Sequence, residues 1–232
     1  MQYKNVVRGI FLKRLNRFTA EVSLNEKTLL VHVKNTGRLK ELLIPGTVCG
    51  LCKAENPERK TAYDLISVLH NGFWVNIDSS APNTVAGEFL KNGGLGKVES
   101  IKPEQVYSVP GSLERSRFDF FAQFEDGTGA YIEVKGVTLV EDGVAKFPDA
   151  PTTRGARHVR TLADCVNQGF KAYVLFVIQR KDATAFTPHD KQDADFAKAL
   201  RYAAKAGVCV KAIDCVVTED TLRPDQLIEI RL

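Results

Sequence analysis

Seven consecutive apolar residues, Ala172-Tyr-Val-Leu-Phe-Val-Ile178, constrain this chain more than any other stretch. The run is too short to span a membrane and lacks the polar alternation of a half-exposed strand. It reads as a central strand buried on both faces, and such a strand needs a layer above and a layer below. The neighbouring segments supply those layers. Before it, Thr152 or Thr153 can cap an amphipathic stretch in which Leu162, Cys165 and Val166 are apolar and Gly169 is the stop. After it, Thr187-Pro188 is expected to open a second helix, with Phe196, Ala197, Leu200 and Ala204 as its buried stripe and Gly207 at its end. Residues 208–213 read as a last strand, 83–91 as a helix and 105–109 as a strand. The order is helix, three strands, helix, strand, helix, strand, which is a mixed α/β domain.

Two of those strands carry chemistry. Ser116-Arg-Phe-Asp-Phe-Phe-Ala-Gln-Phe and Ala130-Tyr-Ile-Glu-Val-Lys-Gly136 flank a turn containing Asp126-Gly127, so they read as an antiparallel hairpin. Side chains alternate along a strand, which places Glu133 and Lys135 on one face, with Phe118 and Phe120 both opposed to Asp119. An odd loop or a bulge brings Asp119 opposite Glu133. Two carboxylates and an ammonium then converge on otherwise apolar strands, an arrangement suited to Mg²⁺ or Mn²⁺. Mg²⁺ keeps several waters and is held by one or two carboxylates plus substrate phosphate. It polarises a phosphoryl group and acidifies bound water, while Lys135 positions that water or offsets developing charge. Asp119, Glu133 and Lys135 are therefore candidates for phosphodiester hydrolysis, although Glu-x-Lys also occurs on ordinary solvated strands.

The N-terminal part is different. Residues 6–12, 18–22, 28–33, 48–53 and 65–69 are strand-like, and Asn16-Arg17, Asn25-Glu26, Pro45-Gly46 and Asn71-Gly72 supply turns. Five short strands suit a closed or nearly closed barrel, of which the oligonucleotide-binding (OB) fold is one form. The boundary is expected near Ser79-Ser-Ala-Pro82, giving units of 1–80 and 81–232. Residues 1–80 carry 12 Lys or Arg against 7 Asp or Glu, whereas 81–232 carry 20 against 21. A mildly basic barrel is compatible with phosphate contacts. No segment has the length of a membrane span, and the first residues lack a signal-peptide core, so a cytoplasmic protein is expected. Cys49-Gly-Leu-Cys52 has no second pair at zinc-finger spacing, and the five cysteines read as reduced thiols.

A denser basic cluster sits at the start of the helix after residue 152. Arg154 and His158 are four apart and share a face, with Arg157 beside them. Cations at a helix N-terminus oppose its dipole, and an anion such as phosphate relieves the conflict. His158 is open to three readings: a general acid for the leaving oxygen, a phosphate contact, or a core histidine.

The hairpin within this element order resembles the PD-(D/E)XK nuclease superfamily. The blocks Asn35-Thr-Gly-Arg-Leu39, Ser116-Arg-Phe-Asp119, Glu133-Val-Lys-Gly-Val-Thr138 and Phe147-Pro-Asp-Ala-Pro-Thr152, with Tyr63-Asp-Leu65 and Pro82-Asn83, resemble signatures of the sugar fermentation stimulation protein family (SfsA). The resemblance implies an OB-type barrel followed by a nuclease-like α/β domain, DNA as partner, and a link to regulation of sugar, especially maltose, utilisation. It implies Glu88, on the helix at 83–91, as an extra acidic ligand, against the plain reading of a solvated carboxylate. It also favours nucleic-acid contacts by Asn35 and Arg38, with Gly37 taking positive φ between them. No obligate protein partner is evident. Three functions stay open: a metal-dependent DNA nuclease, a non-cutting DNA-binding regulator, and a small-molecule phosphate-ester enzyme, the last leaving the basic barrel without a task.

Overall fold

The computed structural model describes residues 1–111 and 113–232. Strands β1 (Val6–Arg14), β2 (Thr19–Leu24), β3 (Lys27–Val33), β4 (Val48–Lys53) and β5 (Tyr63–His70) lie in the order β3-β2-β1-β4-β5. Parallel pairing of β3 with β5, through His32↔Asp64 and Val33↔Leu65, closes this sheet into an OB-type barrel. Strand β6 (Phe73–Asn76) adds along β5. Asn25 and Glu26, at φ 50° and 63°, form the two-residue turn between β2 and β3, where the chain twist demands positive φ at both positions. Inside, Phe11, Val22, Val31, Leu51 and Leu65 meet a plug of Leu39, Leu42 and Leu43 from the β3–β4 connection. Burying each such side chain contributes about 1.5–3 kcal/mol before entropy is counted. Cys49 faces this core, and burial pushes its thiol up to about 12. Cys52, three residues along the same strand, points to the opposite face.

The rest of the chain builds a six-stranded sheet between helices and a smaller four-stranded sheet. Helix α1 (Ala81–Lys91) leads into β7 (Val98–Ser108), β8 (Arg115–Phe124) and β9 (Gly129–Val137). Short strands β10 (Val140–Glu141) and β11 (Val144–Phe147) precede α2 (Thr153–Asn167) and β12 (Lys171–Ile178). Then come β13 (Ala185–Pro188), α3 (Ala194–Lys205), β14 (Cys209–Val217), β15 (Leu222–Leu227) and β16 (Glu229–Ile230). The main order is β15-β14-β12-β9-β8-β7, with β12 parallel to both neighbours. Val174, Phe176 and Ile178 enter the core under α2 and α3, whereas Tyr173, Leu175 and Val177 enter the core under α1. The apolar run is unbroken because both of its faces are covered.

Local signals failed at one helix start. Thr187-Pro188 ends β13, which pairs in parallel with β11 through Phe147↔Pro188. Helix α3 begins only after Asp193, whose carboxylate accepts from the Phe196 amide at 2.9 Å. The tertiary pairing consumes the residues that, in isolation, looked like a helix entry, and aspartate then caps the orphan amide. Ala203, not Ala204, is the fully buried residue of that turn.

A compact polar seam joins barrel and α/β domain. Gln179 Nε2 donates to Asn76 Oδ1 at 2.9 Å and to the Asp78 carbonyl at 3.1 Å. The Asp78 carboxylate, 1% exposed, accepts from Lys34 Nζ at 2.6 Å, Tyr3 at 3.1 Å, and the Ser80 amide and hydroxyl at 2.9 and 2.6 Å. Every oxygen of Asp78 is thus satisfied, and the bonds to Ser80 fix where α1 begins.

Candidate active site

The β8–β9 hairpin closes through a three-residue loop, 125–127, in which Gly127 takes φ 80° and the Phe124 amide donates to the Thr128 carbonyl at 2.9 Å. An odd loop in this register pairs Phe120 with Ile132, so Asp119 stands level with Glu133. The pairing stops there. Oδ2 of Asp119, rather than a backbone carbonyl of β8, accepts the Val134 amide at 2.7 Å. Phe118 enters the α2–α3 core and Phe120 the α1 core. The expectation that both oppose Asp119 on one face is therefore wrong, because β8 swivels at Asp119. On β7, Glu104 lies between the pairs Pro103↔Phe120 and Gln105↔Phe118 and takes φ 50°. A non-glycine residue there carries strain of roughly 1–3 kcal/mol, which the pairing with β8 on either side of it holds in place.

Glu133 is 3% exposed, and its two oxygens differ. Oε1 accepts from Lys135 Nζ at 2.5 Å and meets His158 Nδ1 at 2.8 Å. Oε2 is buried with no hydrogen-bond partner among the described residues. The Arg154 Nε–H points to His158 Nε2 at 3.5 Å, an arrangement matching an imidazole that gives its Nδ1 proton to Glu133. His158 itself is buried, edge-on to Phe118 with ring centroids 5.8 Å apart. Burial pushes the Glu133 carboxyl up, but the His158 hydrogen bond and Lys135 charge outweigh it, and the group lies below its usual range. Asp119 is raised, first by burial and then by the charge of Glu133, with the Val134 amide and Asn83 opposing. One carboxylate is held charged by the His158 hydrogen bond and the Lys135 ammonium, while its neighbour is held charged only against a cost. That is a pair prepared for a cation.

The donor set fits one divalent ion. A buried carboxylate oxygen without a partner costs free energy, and a cation on Glu133 Oε2 and Asp119 removes that cost. Among the described residues no group of three or more His, Cys, Asp or Glu is placed to hold a metal, so these two carboxylates would leave the remaining positions to water and substrate. That pattern belongs to Mg²⁺-like ions.

Glu88 does not join them. Its carboxylate pairs with the Met1 ammonium at 2.9 Å. The residue of α1 that reaches the site is Asn83, whose Nδ2 donates to Asp119 Oδ1 at 2.9 Å. Five residues along a helix turn a side chain roughly 140° and move it about 7.5 Å, so Asn83 and Glu88 cannot serve one point. The Pro82-Asn83 pair was visible as a motif, but its partner lies 36 residues away. Gly136 explains why α1 sits so close: a Cβ there would lie 2.6 Å from Pro82 Cγ and 2.7 Å from Gln179 Oε1.

The cations divide into structural and free groups. Arg154 and Arg157 are exposed at the start of α2, whose first turn holds no acidic residue, while Arg160 pairs with Asp195 at 2.7 Å. Arg38 is exposed and has no ion pair among the described residues. Asn35 is committed internally, donating to the Ile77 carbonyl at 2.9 Å and accepting from the Gly37 amide at 2.7 Å. Arg14 is a clamp: its guanidinium donates to the carbonyls of Asn16, Arg17, Asn35, Gly37 and Arg38. The positive φ expected at Gly37 falls on buried Leu39, at 48°. Glycine at 37 is needed for space, since a Cβ would lie 2.7 Å from Asp149 Oδ2. Arg17, Arg38 and Lys40 rim a basin of about 770 Å³ on the barrel.

Comparison with known proteins places this architecture. Residues 80–221 match the sugar fermentation stimulation protein RE domain, and residues 12–77 the SfsA N-terminal OB domain. The chain belongs to the sugar fermentation stimulation protein family. It is 46% identical over 233 residues to a sugar fermentation stimulation protein homolog of Ruminiclostridium cellulolyticum, covering 100% of both chains. A homolog of Clostridium tetani is 49% identical over 220 residues, covering 94% of this chain and 93% of that one. A solved structure of Pyrococcus furiosus SfsA in complex with Ca²⁺ superimposes with TM-score 0.84 at 25% identity, covering 100% of this chain and 98% of that one. Among the described residues, no helix is long and apolar enough to cross a membrane.

Proposed function

We propose that this SfsA protein is a DNA-binding phosphodiesterase of the PD-(D/E)XK type that uses Mg²⁺ or Mn²⁺. The observation that carries this reading is Glu133 Oε2, a buried carboxylate oxygen without a partner beside Asp119 and Lys135. The Ca²⁺ complex of the Pyrococcus relative supports a divalent ion in the family. A divalent ion supplies Lewis-acid polarisation of the phosphate ester. Asp119 and Glu133 hold it, Asn83 and the Val134 amide orient Asp119, and His158 orients Glu133. Lys135 donates to Oε1 of Glu133, next to the bare oxygen, and is placed to offset negative charge that grows on the phosphate during reaction.

DNA approaches from the barrel side. Arg38, Arg17 and Lys40 on the barrel, with Arg154 and Arg157 at the α2 N-terminus, contact phosphates, so affinity depends on salt more than on sequence. The family link to sugar utilisation is then an effect on DNA, exerted by a protein of the cytoplasm. The test is incubation of labelled single- and double-stranded DNA with the protein in Mg²⁺, Mn²⁺ or EDTA. Cleavage that needs the metal and is lost in Lys135→Ala is the expected result. Binding that survives EDTA, with no cleavage under either metal, would replace the nuclease by a non-cutting regulator. Arg38→Ala and Arg154→Ala should each weaken all sequences alike and lower the salt slope by about one.

A further inference from the structure

Between the two domains, directly beside the carboxylate site, lies a cavity of about 280 Å³ that the chemistry above does not use. Its barrel wall is the turn at residues 35–39, its opposite wall the segment at 147–150, and its floor includes Gly136 and Gln179. Gly136 follows Lys135 in β9, and Pro82, also in the lining, precedes Asn83 in α1. The cavity therefore sits one residue beyond the site on two separate elements.

Its lining chooses among ligands. Asp149 is exposed, lies against Gly37, and has no ion pair or hydrogen bond from its carboxylate among the described residues. Gln179 is 2% exposed and spends its Nε2 on Asn76 and the Asp78 carbonyl, which leaves Oε1 as an acceptor. Of the two cations in the lining, Lys146 is tied to Glu141 and Arg17 is left for a backbone phosphate, whereas the carboxylate and the amide oxygen are the groups for N–H donors. Carboxylates accept from exocyclic amino groups of bases, as Asp and Glu do from cytosine. Apolar surface from Leu39 and Pro82 suits the faces of a planar ring. The volume, about 280 Å³, lies just below the usual range of ligand pockets, about 300–1,000 Å³, and limits the occupant to a single base.

The walls are also built in advance. The Arg14 clamp gathers five carbonyls of the neighbouring turns, and Leu39 is held at positive φ within them. Strain of roughly 1–3 kcal/mol is kept there, held by the burial of Leu39 in the barrel core and by the Leu42 and Leu43 amides on its carbonyl.

Resting on the DNA reading above, we propose that this cavity receives one unpaired nucleobase through its amino donors, so that the protein acts on DNA beside an extruded or frayed base. The full-length protein is titrated in EDTA with three duplexes carrying 2-aminopurine: fully paired, in a single-base bulge, and in a terminal overhang. The amino group of that base is the donor Asp149 would accept, and its fluorescence reports departure from the stack. The expected result is binding about tenfold tighter to the bulge or the overhang than to the paired duplex, with a fluorescence change for the unpaired base. The arm that carries the preference distinguishes an extruded base from a strand end. Asp149→Ala and Gly37→Ala should each bring the ratio of unpaired to paired affinity close to one. Equal wild-type affinity for all three duplexes overturns the cavity assignment and leaves DNA binding standing, as does a full preference in Asp149→Ala. Failure to bind any of the three overturns both.

Discussion

Asp78 and Glu133 are both buried carboxylates, one at the seam of barrel and α/β domain and one in the hairpin site, at 1% and 3% exposure. Both oxygens of Asp78 are spoken for, by Lys34, Tyr3 and Ser80. Glu133 uses Oε1 twice and leaves Oε2 bare. A carboxylate saturated by its own chain has nothing left to offer a ligand, so its work is structural. One that is half saturated and cannot reach water is costly as it stands, and the cost is recovered only when something else binds.

The contrast is broken most directly at Asp78. Asp78→Ala strands the Lys34 ammonium and two hydroxyls and releases the start of α1; a loss of about 3 kcal/mol in urea unfolding is expected, discounted because Lys34 is partly exposed. A loss below about 1 kcal/mol would mean the seam is dispensable. Glu133→Gln should behave differently. Its stability without metal should change by less than about 1 kcal/mol, since the glutamine oxygen still accepts. Wild type at 100 times the dissociation constant of Mn²⁺ gains about 2.7 kcal/mol, and the variant should gain none. A variant that keeps the gain would take the bare oxygen out of the metal site.

The smallest effect sharpens the picture at Asp119. Burial, then the charge of Glu133, raises this carboxyl above its unfolded value. A raised carboxyl adds stability below the ordinary carboxylate range and loses it as pH climbs through the raised value. At pH 7 without metal, the charged group therefore opposes folding, and Asp119→Asn should melt slightly higher than wild type. The advantage should fade as pH falls through the raised value into the ordinary carboxylate range, because the wild-type group then also becomes neutral. An advantage unchanged across that range would mean that charge is not its cause.

Some of the site was legible along the chain because it is local. Glu133 and Lys135 share a face by strand alternation alone, and a loop of odd length is enough to put Asp119 level with Glu133. The cation cluster at the α2 N-terminus followed from helix spacing, and Thr152 caps that helix through the Gly155 amide at 3.1 Å. Other assignments failed for want of distance information. Glu88 and Asn83 sit on one helix, and no local signal says which faces β8. Asn35 has the side chain of a ligand-binding residue, yet it is consumed by the Ile77 carbonyl and the Gly37 amide, which only a folded loop brings to it. The roles of Asp149 and Gln179 depend on a seam between segments more than 100 residues apart in sequence.

By itself, the sequence determined which segments had to be buried and which short-range pairs had to form. An apolar run such as 172–178 can escape water only between two layers, and turn and cap residues act over a few bonds. The tertiary structure alone decided how β8 swivels at Asp119, which residue of α1 touches it, and that two loops enclose a cavity beside Lys135. Those outcomes depend on packing between distant segments, where the preference of any one residue is weaker than the demand of the core to be filled and of each polar group to be paired.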